Sequence, residues 1–267
     1  MAVILITGAG SGIGLALTTA YAARGDQVYA AVRNTDHCPP AFRHPGVHPI
    51  RLDVTSEEET QAVLPLMTQQ VGLPDIVINN AGINLPGTIE ETCRESWDDI
   101  FAVNVFAPLR LSQAFLPAMR TAGTGTIVMM SSLSAEVALP GDGPYAASKA
   151  ALTRAAEALH YEVAPFGIKI ISLEPGAVKS NLNQMPVPPK KTIPAYDPLR
   201  HHMQQRANEK SGGAETGDIA LDMIRLIEAP DSPAICPVGA QAGEIIRKLN
   251  RAAAEERAQL IRAASGL

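Results

Sequence analysis

The chain of 267 residues has few cysteines: Cys38, Cys93 and Cys236, an odd number at wide intervals. That spacing excludes a disulfide framework and suits a reducing compartment, so a cytoplasmic location is expected. Positive charge is not in excess either, since 22 Lys and Arg face 27 Asp and Glu for a formal net charge of −5. This balance gives no general attraction to nucleic acid or to an anionic membrane, and neither is expected as a partner. The apolar run Met1 to Thr7 is only a strand long, without a basic start or a small-residue cleavage site. It reads as neither a signal peptide nor a membrane span. His37, Cys38, His44 and His48 are metal-ligating types in the proline-rich stretch Asn34 to Pro49, but they make no familiar ligand set, and no metal is expected. Internal repeats and low-complexity tracts are lacking as well.

What is present is ordinary soluble α/β composition, 46% hydrophobic and 18% charged, enough for a sizeable core. Short apolar runs alternate with helical patterns. Ala2 to Thr7, Gln27 to Val32, His48 to Val54, Asp75 to Asn79, Thr126 to Met130, Gly167 to Leu173 and Pro233 to Val238 read as strands. Thr55-Ser56-Glu57-Glu58-Glu59 opens a helix with capping residues and acids at its positive end. Longer helices are expected over Trp97 to about Arg120, Tyr145 to Val163, Glu215 to Glu228 and Gln241 to about Ala264. The order predicts one domain over 1–267, a doubly wound parallel sheet with helices on both faces and a ligand crevice at the carboxyl ends of its strands.

Three stretches carry chemistry. Tyr145-Ala146-Ala147-Ser148-Lys149 opens an alanine-rich helix, and residues four apart share a face, so a phenol and an ammonium stand together. A phenol titrates near pH 10 and needs its anion stabilised by about 4 kcal/mol to exchange protons at neutrality. One cation supplies only about one to three pH units of that, so a second positive centre is expected over the site. At the N-terminus, a strand runs into Gly8-Ala9-Gly10-Ser11-Gly12-Ile13-Gly14 and then a helix, the arrangement in which backbone N–H groups hold a phosphate. The G-x-G-x-x-G spacing is missing; the residues spell Thr7-Gly8-x-x-x-Gly12-x-Gly14. The third stretch is Asn79-Asn80-Ala81-Gly82, closing the fourth strand with small residues and amides.

T-G-x-x-x-G-x-G, N-N-A-G and Y-x-x-x-K in this order resemble the short-chain dehydrogenase/reductase family, from Ala2 to about Ser180. The resemblance implies a nicotinamide cofactor lined by Gly8, Ser11, Gly12, Ile13, Gly14, Asp53, Val54, Asn80, Ala81 and Gly82. It extends to Pro175-Gly176-Ala177-Val178-Lys179-Ser180, similar to the family's P-G-x-V-x-T, which makes Pro175, Gly176 and Val178 nicotinamide contacts with Ser180 in place of Thr. By the same resemblance Tyr145 and Lys149 are both catalytic and cofactor-binding. Ser132 stands at the family's usual interval of 13 residues before Tyr145, with Ser131 and Ser134 as rivals, and Asn104 is an active-site Asn holding a water linked to Lys149. The tip of the second strand reads Ala31-Val32-Arg33-Asn34, without the acid that would bond a ribose 2′-hydroxyl, so Arg33 favours NADP(H) over NAD(H).

Asn181 to Lys210 is long and proline-rich and reads as a substrate lid. From Lys190 to Lys210 five cations (Lys190, Lys191, Arg200, Arg206, Lys210) face Asp197 and Glu209. The excess fits either a solvated helix or attraction for an anionic substrate. The charged C-terminal helix resembles the hydroxysteroid and retinol dehydrogenase branch. Together these features predict an NADP(H)-dependent alcohol dehydrogenase or carbonyl reductase. Its substrate would be lipophilic or medium-sized, bordered by Leu85, Pro86, Val137, Leu139 and Met185, and its assembly a homodimer or homotetramer through its two long helices. A nucleotide-retaining epimerase or dehydratase, or a nucleotide-sensing binding protein, stays open from sequence alone.

Overall fold

The computed structural model describes residues 1–179, 192–209, 213–252 and 254–265. Seven strands, β1 (Val3–Thr7), β2 (Gln27–Val32), β3 (Val47–Arg51), β4 (Ile76–Asn79), β5 (Gly125–Met130), β6 (Ile168–Pro175) and β7 (Ile235–Val238), join one sheet in the order β3-β2-β1-β4-β5-β6-β7. Every pairing is parallel. A parallel sheet needs crossovers and buries both faces, which is why the central strands β1, β4 and β5 are mainly apolar.

Successive side chains along a strand go to opposite faces. Ile4, Ile6, Val128 and Met130 therefore join α1 (Gly12–Ala23) and α7 (Thr216–Glu228) through Leu17, Tyr21, Met223 and Ile227. Leu5, Val77, Ile127 and Met129 meet α2 (Glu57–Gln70), α4 (Ala107–Ala122) and α5 (Gly143–Val163) through Met67, Phe115, Met119 and Leu152. The sheet is thus covered on both sides, a Rossmann-like α/β fold. The run 94–122 is long and apolar enough to cross a membrane by composition, yet Leu111, Phe115 and Met119 on it are buried in the core.

Two expected helices differ. The Trp97 to Arg120 helix is three segments: α3 (Arg94–Phe101), a π-helical turn over Ala102–Phe106, and α4. Helical periodicity does not distinguish an inserted residue of this kind, and π turns recur at functional sites. The Gln241 to Ala264 helix breaks: α8 (Ala240–Arg251) ends where Ala252 turns extended (ψ 140°), and α9 (Ala254–Ser265) follows. Of the expected lid, α6 (Asp197–Glu209) and the 3-10 turn Pro194–Tyr196 are described, while residues 180–191 and 210–212, including Ser180, Met185, Lys190, Lys191 and Lys210, lie outside the described residues.

Candidate active site

Parallel strands all end on the same edge, so the loops after β1, β2, β3, β4, β5 and β6 gather there. The glycine turn sits after β1. Gly8 (φ +63°) and Gly12 (φ +54°) adopt left-handed backbone that a side chain disfavours. A β-carbon on Gly14 would lie 2.4 Å from the carbonyl oxygen of Gly8 and 2.4 Å from Asn80 Nδ2, so the turn closes only around glycine. Ser11, at the N-cap of α1, is exposed and makes no side-chain capping bond, and the first turn, with Ile13, carries no acid. The helix end therefore presents uncapped backbone N–H groups, a fit for a phosphate.

Asn80 ties this turn to β4. Its Nδ2 donates to the carbonyls of Thr7 (2.9 Å) and Gly8 (3.2 Å). Thr7 Oγ1 in turn accepts from the N–H groups of Asn80 and Ala81, each at 3.0 Å. Thr7 carries no role in the sequence reading beyond its motif letter, because its function is to receive backbone from a strand 70 residues away.

Arg33 is exposed just past β2, and Asp53 and Val54 are half-buried just past β3. The hydroxyl and N–H of Thr55 hold the Asp53 carboxyl below its usual range, helped by Arg33 and Arg51. The Asp53 N–H donates to Glu59 Oε2 at 2.6 Å. One glutamate of the helix-opening run thus positions this loop, besides its favourable place at a helix N-terminus. On the other side, Pro175 closes β6 opposite Val238, Gly176 faces Ala242, and Val178 bridges to Ala214.

The central group comes from β5, the π turn and α5. Ser132 follows β5, half-buried, with its hydroxyl accepting from Ser134 N–H at 3.1 Å. Its neighbour Ser131 points inward instead, bonding Thr153 Oγ1 (2.6 Å) and the Lys149 carbonyl (3.2 Å). Ser131 is thus taken up by the interior, while Ser132 stays half-buried past the strand end. Burial drives the Tyr145 phenol up to about 12, with the nearby Ser132 hydroxyl pulling the other way, and drives the Lys149 ammonium down to about 8. Lys149 Nζ donates to the Met130 carbonyl at 2.7 Å. In the free protein the lysine does not make the phenol acidic, in keeping with the expected need for a second positive centre.

Asn104, on the π turn, is 1% exposed. Its Nδ2 donates to the Ile83 carbonyl (2.9 Å) and to Ser148 Oγ (3.0 Å), and its Oδ1 accepts from Ile83 N–H (2.9 Å). The side chain is a clamp between the segment after β4 and α5, a satisfied amide in the structural sense that buried asparagines usually are. Ser148, its partner, passed unnoticed because it sits inside the Tyr-Lys motif as filler. A β-carbon on Gly82 would stand 3.3 Å from Asn104 Oδ1 and 3.5 Å from Lys149 Nζ, so amide and ammonium border one small space that glycine leaves open.

Behind the site, Glu174 is fully buried, with Oε1 accepting from Thr153 Oγ1 at 3.1 Å and Oε2 without a hydrogen-bond partner. Burial raises its carboxyl to about 7, and Glu136 adds to the effect against Thr153 and Arg154. Sequence gave no warning of it, since an acid at a strand end reads as surface.

Comparison with known proteins agrees with this arrangement. Residues 2–190 match the family model described as short chain dehydrogenase. A cyclopentanol dehydrogenase of Comamonas sp. (strain NCIMB 9872) is 33% identical over 187 residues, 68% of this chain and 75% of its own length. A short-chain dehydrogenase from Streptomyces avermitilis has a similar structure (TM-score 0.83, 31% identity, 99% of this chain and 98% of that one). So does one from Burkholderia cenocepacia J2315 in complex with NADP (TM-score 0.76, 28% identity, 99% and 97%). With the glycine turn, the Asn80 brace and the Ser132, Tyr145 and Lys149 group on one edge of a parallel sheet, and with the match running through all of them, the chain belongs to the short-chain dehydrogenase family of oxidoreductases.

Proposed function

We propose that this chain is a cytoplasmic NADP(H)-dependent alcohol dehydrogenase or carbonyl reductase, interconverting a lipophilic or medium-sized ketone and its secondary alcohol. The observation that carries the reading is that Ser132, Tyr145 and Lys149 lie on the edge that also holds the uncapped N-terminus of α1. A nicotinamide held here would supply or accept the hydride. The residues that would hold it are the glycine turn from Gly8 to Gly14, Asp53, Val54, Asn80 to Gly82, Tyr145, Lys149, Pro175, Gly176 and Val178.

In reduction, Ser132 donates a hydrogen bond to the substrate carbonyl oxygen and stabilises the negative charge that develops there. Tyr145 delivers its phenolic proton to that oxygen. Lys149 contributes a positive charge that lowers the cost of the phenolate and would donate to the ribose hydroxyls of a bound cofactor. Asn104 holds the Ile83 segment and α5 in register, and a water in the space beside Gly82 links Asn104 and Lys149 as the route of proton resupply. Arg33, exposed past β2 where no acid occupies the strand tip, supports a 2′-phosphate and hence NADP(H); the NADP complex of the Burkholderia relative points the same way. The exposed faces of α4 and α5 support a homodimer or homotetramer.

The test is the rate of reduced-nicotinamide loss with a panel of ketones, aldehydes and quinones, run with NADPH and NADH in parallel. Turnover that favours NADPH is expected. Preference for NADH would discard the Arg33 argument, and tight binding of both without consumption would discard the reductase reading.

A further inference from the structure

Glu91 is a carboxylate with a fully buried side chain on the segment that leaves β4. Its Oε2 accepts from Thr88 Oγ1 at 2.8 Å, and its Oε1 accepts from the Ile193 N–H at 2.7 Å and from Arg200 on α6. Burial alone would raise this carboxyl, but the Ile193 N–H, the Thr88 hydroxyl and the Arg200 guanidinium outweigh it and hold it below its usual value. Arg200 also donates to the Ile193 carbonyl at 2.9 Å and pairs with Asp197. One turn outward, Tyr196 Oη donates to Glu90 Oε2 at 2.6 Å. Among the described residues these contacts reach across about 100 positions of sequence and fasten α6 to the segment 88–91.

The fastened helix lies against the approach to Tyr145. Gly87 N–H donates to the Gly141 carbonyl at 2.8 Å. A β-carbon on Gly141 would run into Met203 Sδ of α6, and one on Gly143 would lie 3.0 Å from Ile89 Cγ1. Both glycines belong to the turn that begins α5, two to four residues before Tyr145.

Resting on the proposed function, we infer that Glu91 and Arg200 are positioning residues whose ion pair, made on a buried carboxylate, seats α6 against the 139–143 turn, so that α6 walls the substrate end of the site. The pair sets substrate binding and not the proton transfer. It also engages the Arg200 charge, one of the five that the sequence offered to an anionic substrate. The helix is seated conditionally, because removing Arg200 leaves the buried Glu91 carboxylate without its cation, held only by the Thr88 hydroxyl and the Ile193 N–H.

The experiment uses full-length protein with Arg200→Met, Glu91→Gln/Arg200→Met and Tyr196→Phe. Arg200→Met should raise substrate KM by about tenfold with kcat within about threefold, since it removes binding common to ground and transition states. The double variant, which leaves no stranded carboxylate and keeps an acceptor for Ile193 N–H, should return KM to within about threefold of wild type. Tyr196→Phe, on the exposed side, should move KM the same way by about twofold to fivefold. Cofactor affinity by fluorescence titration should be unchanged in all three and certifies the fold. Amide hydrogen exchange over 193–205 should accelerate in Arg200→Met and recover in the double variant, a readout independent of turnover. Unchanged KM and unchanged exchange in Arg200→Met would overturn the latch, as would failure of the double variant to recover. Absence of turnover in the wild type would count against the proposed function, and exchange would still decide the latch.

Discussion

Lys149 Nζ stands 5.7 Å from the centre of the Tyr145 ring and gives its hydrogen bond to the Met130 carbonyl. The two side chains share a helix face as i and i+4, yet burial moves their proton affinities in opposite directions, phenol up and ammonium down. Burial therefore holds the acid in its protonated form and weakens the cation until another group enters the site.

Tyr145→Phe keeps the ring and removes the proton. It should lower kcat by about 10²–10⁴-fold while cofactor affinity by fluorescence titration stays near the wild-type value. Substantial retained turnover would remove Tyr145 from the proton transfer.

Lys149→Met should stabilise the cofactor-free protein at pH 7 while abolishing activity. The folded ammonium loses its proton near 8, the unfolded one near 10.5. As pH falls from about 10.5 the unfolded chain therefore takes up this proton first, and the native state is at its full disadvantage below about 8. The gain, less the lost bond to Met130, is about 1–3 kcal/mol by urea unfolding at pH 7. A variant less stable than wild type at that pH would refute the strained ammonium.

Glu174→Gln should flatten the fall of stability between pH 5 and 7. The buried carboxyl keeps its proton to about 7 against 4.5 in the unfolded chain. Its contribution is complete below about 4.5 and lost as pH rises through about 7, a swing of about 3 kcal/mol at most. Unfolding of both proteins at pH 5 and pH 8 measures it; an identical pH dependence would show that Glu174 does not titrate in this window.

Gly82→Ala tests the small space between Asn104 and Lys149. Contacts of 3.3–3.5 Å are accommodated by slight movement, so folding should persist. Turnover should fall by at least about tenfold as the relay water is displaced. An unchanged kcat would eliminate that relay.

Much of the fold was legible because its signals are local. Apolar runs of strand length, glycine punctuation and a capped acidic helix start determine the order of elements, and β2 begins and ends where its sequence indicates. The i and i+4 spacing on a helix was enough to put Tyr145 and Lys149 on one face, whereas Ser132 was reached only through the family's 13-residue interval to Tyr145. The π turn under Asn104 was not legible, since one inserted residue leaves an apolar helix pattern intact. Nor was the break at Ala252, where no glycine or proline marks the stop.

The sequence by itself determined which groups meet on the carboxyl edge, because parallel strands joined by helices leave every following loop at that end. Only the tertiary structure decided what those groups become. Long-range burial sets the proton affinities of Tyr145, Lys149 and Glu174. The pairing of Glu91 with Arg200, 109 residues apart, takes up a charge that composition alone would leave free for a ligand. Desolvation and partnership between distant residues are properties of three-dimensional neighbourhood, and no local pattern encodes them.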